Sequence, residues 1–91
     1  MATEQETKLQ TELLSCSLSR IALMVKADWR NPYFGAIPYI AAMTTLHDMD
    51  DVYYADDAPS IVRYFLANAG TWRGDVARAV KRELNLRLKG A

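Results

Sequence analysis

Apolar residues recur at steps of three and four along most of this 91-residue chain, and that spacing constrains the fold more than anything else in it. The pattern is cleanest at the C-terminal end. Val76, Val80, Leu84 and Leu88, joined by Ala77, make one stripe, and Arg78, Lys81, Arg82, Asn85 and Lys89 line the other side. Upstream, Ile61, Val62, Phe65, Leu66 and Ala69 give a second clean stripe. Ile37, Tyr39, Ile40, Met43 and Leu46 leave the stretch from Ala36 to His47 apolar nearly all round, which predicts a central helix.

The first stretch, from about Thr3 to Asp28, carries two apolar sectors. Leu14, Leu18, Ile21, Val25 and Trp29 keep to one face, while Leu9, Leu13, Cys16, Leu23 and Met24 form another. A single long helix with two apolar faces must be covered on both, within the fold or by a second subunit. Its end is set by Asn31-Pro32, because proline disfavours helical geometry at the residue before it. Pro38 is tolerated in the first turn of the second helix.

Asp48 to Asp57 reads as a loop, with Asp56 or Asp57 capping the third helix and Pro59 inside its first turn. Gly70 is expected to stop that helix by adopting positive φ, and Thr71 to cap the fourth, with Asp75 favouring its positive end. The expected fold is therefore all-α: a compact bundle of four helices in one domain spanning residues 1–91, the first helix long and two-faced. Residues 1–7 are polar and expected to fray.

A chain this short buries a limited share of its surface, so help from a second subunit is a natural expectation. One cysteine, Cys16, excludes an intrachain disulfide and suits a reducing, cytoplasmic setting. No secretory leader pattern and no apolar run of membrane-spanning length occurs, so neither export nor membrane insertion is expected.

The formal net charge of zero conceals an uneven layout. Residues 31–62 hold Asp48, Asp50, Asp51, Asp56 and Asp57 and no lysine or arginine. Residues 63–91 hold seven bases against Asp75 and Glu83. Such asymmetry speaks to association rather than to fold.

The aspartate loop does not match a calcium-binding loop. Counting from Asp48, the glycine position is Tyr53 and the terminal glutamate position is Pro59. A diphosphate-binding aspartate pair needs a larger helical cavity than this chain can enclose. With His47 as sole histidine and no glycine-rich phosphate loop, no catalytic residue, metal ligand or cofactor is assigned, and the protein is read as a non-enzyme.

Two binding surfaces are legible instead. The first is the acidic, aromatic segment Asp48, Asp50, Asp51, Tyr53, Tyr54 and Asp56: aromatics anchor protein interfaces and acids steer a basic partner. The same segment also has the charge to mimic nucleic-acid phosphates towards a basic protein. The second surface is basic: Arg73, Arg78, Lys81, Arg82 and Lys89. Residues 60–82 partly fit a helix-turn-helix with Gly70 in the turn, which makes nucleic-acid binding the alternative. The fit is weakened by Leu66 where a small residue is usual, by Gly74, and by a pI of about 6.5.

The runs Tyr33-Phe34-Gly35-Ala36-Ile37-Pro38-Tyr39 and Ile61 through Gly74 resemble short proteins of phages, plasmids and other bacterial mobile elements, over about residues 29–89. The resemblance implies an accessory role in a bacterium or phage, in which such proteins bind and block a host protein. It transfers no active residues. The combined expectation is a protein-binding accessory protein, homodimeric through the two-faced first helix.

Overall fold

The computed structural model describes residues 3–90. It contains five α-helices: α1 (Glu4–Leu13), α2 (Leu18–Asp28), α3 (Ile37–Met43), α4 (Ala58–Ala67) and α5 (Asp75–Gly90). A 3-10 turn (Phe34–Ala36) leads into α3, and a short antiparallel hairpin, β1 (Val52–Tyr53) and β2 (Asp56–Asp57), precedes α4. The expected four-helix arrangement thus becomes five helices and a hairpin. Among the described residues, no helix is long and apolar enough to cross a membrane.

The largest departure is in the first stretch, where the predicted single helix breaks at residues 14–17. Serines compete with the helical ladder by bonding nearby backbone, and Ser15-Cys16-Ser17 concentrates that competition. Ser15 and Cys16 bond back to the carbonyls of Glu12 and Leu13, and Ser17 caps α2 by accepting from the Arg20 N–H at 3.1 Å. Two otherwise orphaned donors at the start of α2 are met from afar: the Leu18 and Ser19 N–H groups donate to the carbonyls of His47 and Leu46 at 2.9 and 2.8 Å.

The break also re-aims the apolar sectors. Leu13 and Leu18 would lie about 140° apart on one uninterrupted helix, yet both are fully buried. Leu14 is thrown outward, 68% exposed, while Ile21, Ala22 and Val25 face the core. There is no single two-faced helix here, so the dimer expected to form through it loses its structural basis. Within the stretch expected to fray, residues 1–7, α1 begins at Glu4 with Thr3 as its cap; Met1 and Ala2 lie outside the described residues.

Residues after α3 leave the helix because Thr44 and Thr45 turn their hydroxyls onto the carbonyls of Ala41 and Ala42, at 2.6 and 2.7 Å. Asp57 caps α4 as expected, accepting from the Ser60 N–H at 2.9 Å, with Pro59 in the first turn. Two other expectations are corrected. Gly70 does not end α4, which stops at Ala67 with Asn68 as its cap, and Thr71 does not cap α5, which starts only at Asp75. The glycine at positive φ is Gly74 (φ 112°), one residue before α5.

The core is one contiguous apolar cluster. Helix α5 packs against α1, α2 and α4, and α3 packs against α2 and α4. At its centre, Trp29 stacks on Trp72 with ring centroids 5.7 Å apart, and Phe65 meets both edge-on at 6.5 and 6.2 Å. The Trp72 indole donates to the Asp28 carboxylate at 2.8 Å, so its one polar atom is satisfied.

A buried polar cluster ties α1 to α5. Glu83, 4% exposed, accepts from Arg87 Nε at 2.7 Å and from Gln10 Nε2 at 3.4 Å. Arg87 Nη2 in turn donates to the Leu13 carbonyl at 2.7 Å, closing the C-terminal end of α1.

Candidate functional site

The segment between α3 and α4 is built from its carboxylates inward. Asp51 Oδ2 accepts from the His47 N–H at 2.6 Å and the Asp48 N–H at 3.3 Å, and Asp48 Oδ1 accepts from the Asp50 N–H at 2.9 Å. The Asp51 carbonyl accepts from the Ala58 N–H at 2.9 Å, which joins the base of the hairpin to α4. These bonds close a loop that two strands of two residues each would not hold by themselves.

The six residues assigned to this surface therefore divide. Asp51 is half-buried and its carboxylate is engaged within the loop. Tyr53 is half-buried and packs on the core, a correction to its expected exposure. Asp48, Asp50, Tyr54 and Asp56 face solvent. Of these, the Asp50 and Asp56 carboxylates have no hydrogen-bond or ion-pair partner among the described residues. Asp57, beside them, serves α4: the Ser60 hydroxyl and N–H hold its carboxyl below the ordinary value, and Arg63 adds a smaller pull.

Tyr54 stands at the tip. The two-residue turn Tyr54-Ala55 places it at φ 55°, the one non-glycine residue with positive φ among those described, and its side chain is 88% exposed. Its ring touches Tyr53 edge-on at 4.7 Å. A tyrosine in left-handed geometry costs about 1–2 kcal/mol, and burial gives back almost nothing at this position.

A shallow cleft of about 480 Å³ between residues 14–17 and the loop before the hairpin is lined by Cys16, His47, Asp48 and Asp50. The sequence gives no hint of this juxtaposition, because it depends on the break at residues 14–17. Cys16 donates to the Glu12 carbonyl at 3.4 Å. Among the described residues no three His, Cys, Asp or Glu side chains are grouped to share a cation, and no buried side-chain polar atom lacks a partner.

The basic residues are spread over two elements. Arg78, Lys81 and Arg82 line a groove between α1 and α5 together with Glu6 and Gln10. Arg78 is paired with Glu6 and Asp75; the Glu6 bond does most to raise its pKa. Lys81 donates to the Trp72 carbonyl at 2.7 Å, and burial, with Arg73 adding to it, pushes its pKa down. Arg73, Arg82 and Lys89 are exposed. The connection from α4 to α5 runs through residues 68–74, longer than the three or four residues of a helix-turn-helix.

Compared with known proteins, the chain matches no family model, no curated protein and no solved structure.

Proposed function

We propose that this is a non-enzymatic binding protein that engages another protein through the tip of its hairpin. Tyr54 is the anchor, with Asp50 and Asp56, flanked by Asp48, as an acidic rim. One observation carries the reading: a large aromatic side chain is held almost fully in solvent, at a backbone geometry that favours glycine. Strain held without compensating burial points to use by something outside the molecule. A tyrosine anchor inside a carboxylate rim suits a basic partner surface with an apolar pocket.

The resemblance to small phage and mobile-element proteins gives that partner a context, a bacterial host protein that is bound and blocked. Capture from a bacterial lysate tests the reading. Wild-type protein retains a partner that Tyr54→Gly releases, with affinity lower by at least about thirtyfold, as for an interface hot spot. Replacing Asp50 and Asp56 by lysine slows association and removes its salt dependence. Equal retention by wild type and Tyr54→Gly overturns the proposal.

A second reading rests on the groove where Arg78, Lys81 and Arg82 come together, flanked by exposed Arg73 and Lys89. There the protein binds nucleic-acid phosphate along α5, with affinity falling steeply as salt rises. Absence of any mobility shift at low salt removes it.

A further inference from the structure

A second surface, remote in sequence from the hairpin, has the complementary character. An apolar groove of about 220 Å³ runs between the end of α2 and α3, walled by Trp29, Pro32, Ile37 and Ile40. That volume lies below the roughly 300–1,000 Å³ of small-molecule pockets, so the groove suits one large side chain better than a metabolite. Ile37 is 50% exposed at its edge, and Phe34 just before it is 75% exposed.

The charged groups on this groove are both cationic: Lys26 in the last turn of α2 and Arg30 just beyond its end. Neither forms an ion pair among the described residues. The nearby carboxylate of Asp28 already accepts from the Trp72 indole. An apolar slot beside two cations calls for an apolar side chain flanked by carboxylates.

The chain itself displays that chemistry at the hairpin, where Tyr54 is exposed at the tip and the exposed Asp50 and Asp56 precede and follow it in sequence, with Val52 also exposed. Tyr54 is too exposed to occupy the groove of its own molecule. We infer that the protein self-associates head to tail, Tyr54 of one copy entering the α2–α3 groove of a second copy, with Asp50 and Asp56 meeting Lys26 and Arg30.

This inference rests on the reading of the hairpin as a binding element, and it adds a regulatory consequence: self-association and the proposed partner compete for Tyr54. Tip and groove are different patches, so the contact is heterologous, closing into a small ring or growing as a chain. The area is small, so the association is weak and salt-sensitive.

Sedimentation velocity over a concentration series at low salt tests it. Wild-type protein gains mass with concentration. A tip variant (Tyr54→Gly with Asp50→Asn and Asp56→Asn) and a groove variant (Lys26→Glu with Arg30→Glu) each weaken association by more than about tenfold. Mixed in equal amounts, the two form a species of two chains and no larger, because one intact tip meets one intact groove. Circular dichroism of each variant checks that its helices are intact. Monomer at every wild-type concentration overturns the inference, as does growth that neither variant affects, or a mixture that does not pair. If wild type stays monomeric while Tyr54→Gly still loses the captured partner, self-association falls and the hairpin reading survives. If Tyr54→Gly keeps the partner but abolishes association, the reverse holds.

Discussion

Tyr54 poses the sharpest question at the scale of single residues, since its backbone and its side chain are both placed unfavourably for folding. Alanine at this position removes the ring but keeps the steric cost of the positive φ, whereas glycine removes both. Tyr54→Gly is therefore expected to be more stable than Tyr54→Ala by about 1 kcal/mol, the reverse of the usual order. Urea unfolding of the two variants measures the difference. Gly35 makes the opposite case, a glycine required by close approach. A Cβ there would lie 2.6 Å from both Asn68 Oδ1 and the Tyr33 ring. The Asn68 amide is anchored on the Tyr64 carbonyl at 2.8 Å and cannot simply swing away. Gly35→Ala is expected to cost roughly 1–3 kcal/mol, read from the shift in urea midpoint.

Asp57 belongs to the same scale and gives a pH dependence. Its folded carboxyl titrates below the ordinary value because Ser60 bonds to the charged form. Its contribution is therefore fully present above about pH 4 and is lost as pH falls through the lowered folded value. Asn caps a helix without titrating. Asp57→Asn should accordingly flatten the fall of the thermal midpoint below pH 4 while leaving neutral-pH stability close to wild type. An unchanged acid limb would contradict this.

Among the elements, α1 is the one whose stability is most borrowed. Its own apolar content is slight: Leu13 is its one fully buried apolar side chain, and polar contacts to α5 supply much of the attachment. Glu83 is central, since it holds both Gln10 and the arginine that closes the α1 carbonyl end. Removing one partner of a buried ion pair leaves the other uncompensated, so Glu83→Ala should cost about 3 kcal/mol. Hydrogen exchange should show the loss first in α1. Uniform deprotection of all helices would argue that the cluster supports the whole fold instead.

How far the elements could be foreseen depends on whether their signal is local. Asp57 and Pro59 mark the start of α4 because a cap acts within four residues. The α5 stripe of Val80 and Leu84 is equally local. The break at residues 14–17 is not, since Ser15 and Ser17 only weaken the helix there. What completes it is the pair of bonds from Leu18 and Ser19 to the backbone beyond α3. The hairpin was hidden for a related reason: two residues per strand carry no periodicity to detect.

At the scale of the whole molecule, Trp29, Phe65 and Trp72 join α2, α4 and the connection to α5 at one point. Phe65 is fully buried and meets both stacked tryptophans edge-on. Truncating a buried phenylalanine costs about 3–5 kcal/mol, against a total of roughly 5–15 kcal/mol for a domain. Phe65→Ala is thus expected to leave the protein largely unfolded at physiological temperature, measured by loss of near-ultraviolet dichroism. Retention of a cooperative transition near the wild-type midpoint would contradict that placement.

The candidate surface was legible in part for the same reasons as the fold. The segment Asp48 to Asp57 stands out by composition, and Tyr54, Asp50 and Asp56 do face solvent. Composition does not distinguish them from Asp51, whose carboxylate closes the loop, or from Tyr53, which packs inward. The groove at Lys26, Arg30 and Ile37 left no trace in the sequence, because its walls come from the end of α2, the connection after it and α3, which only the tertiary fold brings together. The sequence by itself determined the helical class, the capped start of α4, the amphipathic α5 and the separation of acidic from basic segments. All of these follow from spacing and local chemistry. Tertiary structure alone decided where the first helix breaks, which carboxylates stay free, and that an apolar, cationic slot stands open. Those features depend on backbone groups and side chains brought together from distant parts of the chain.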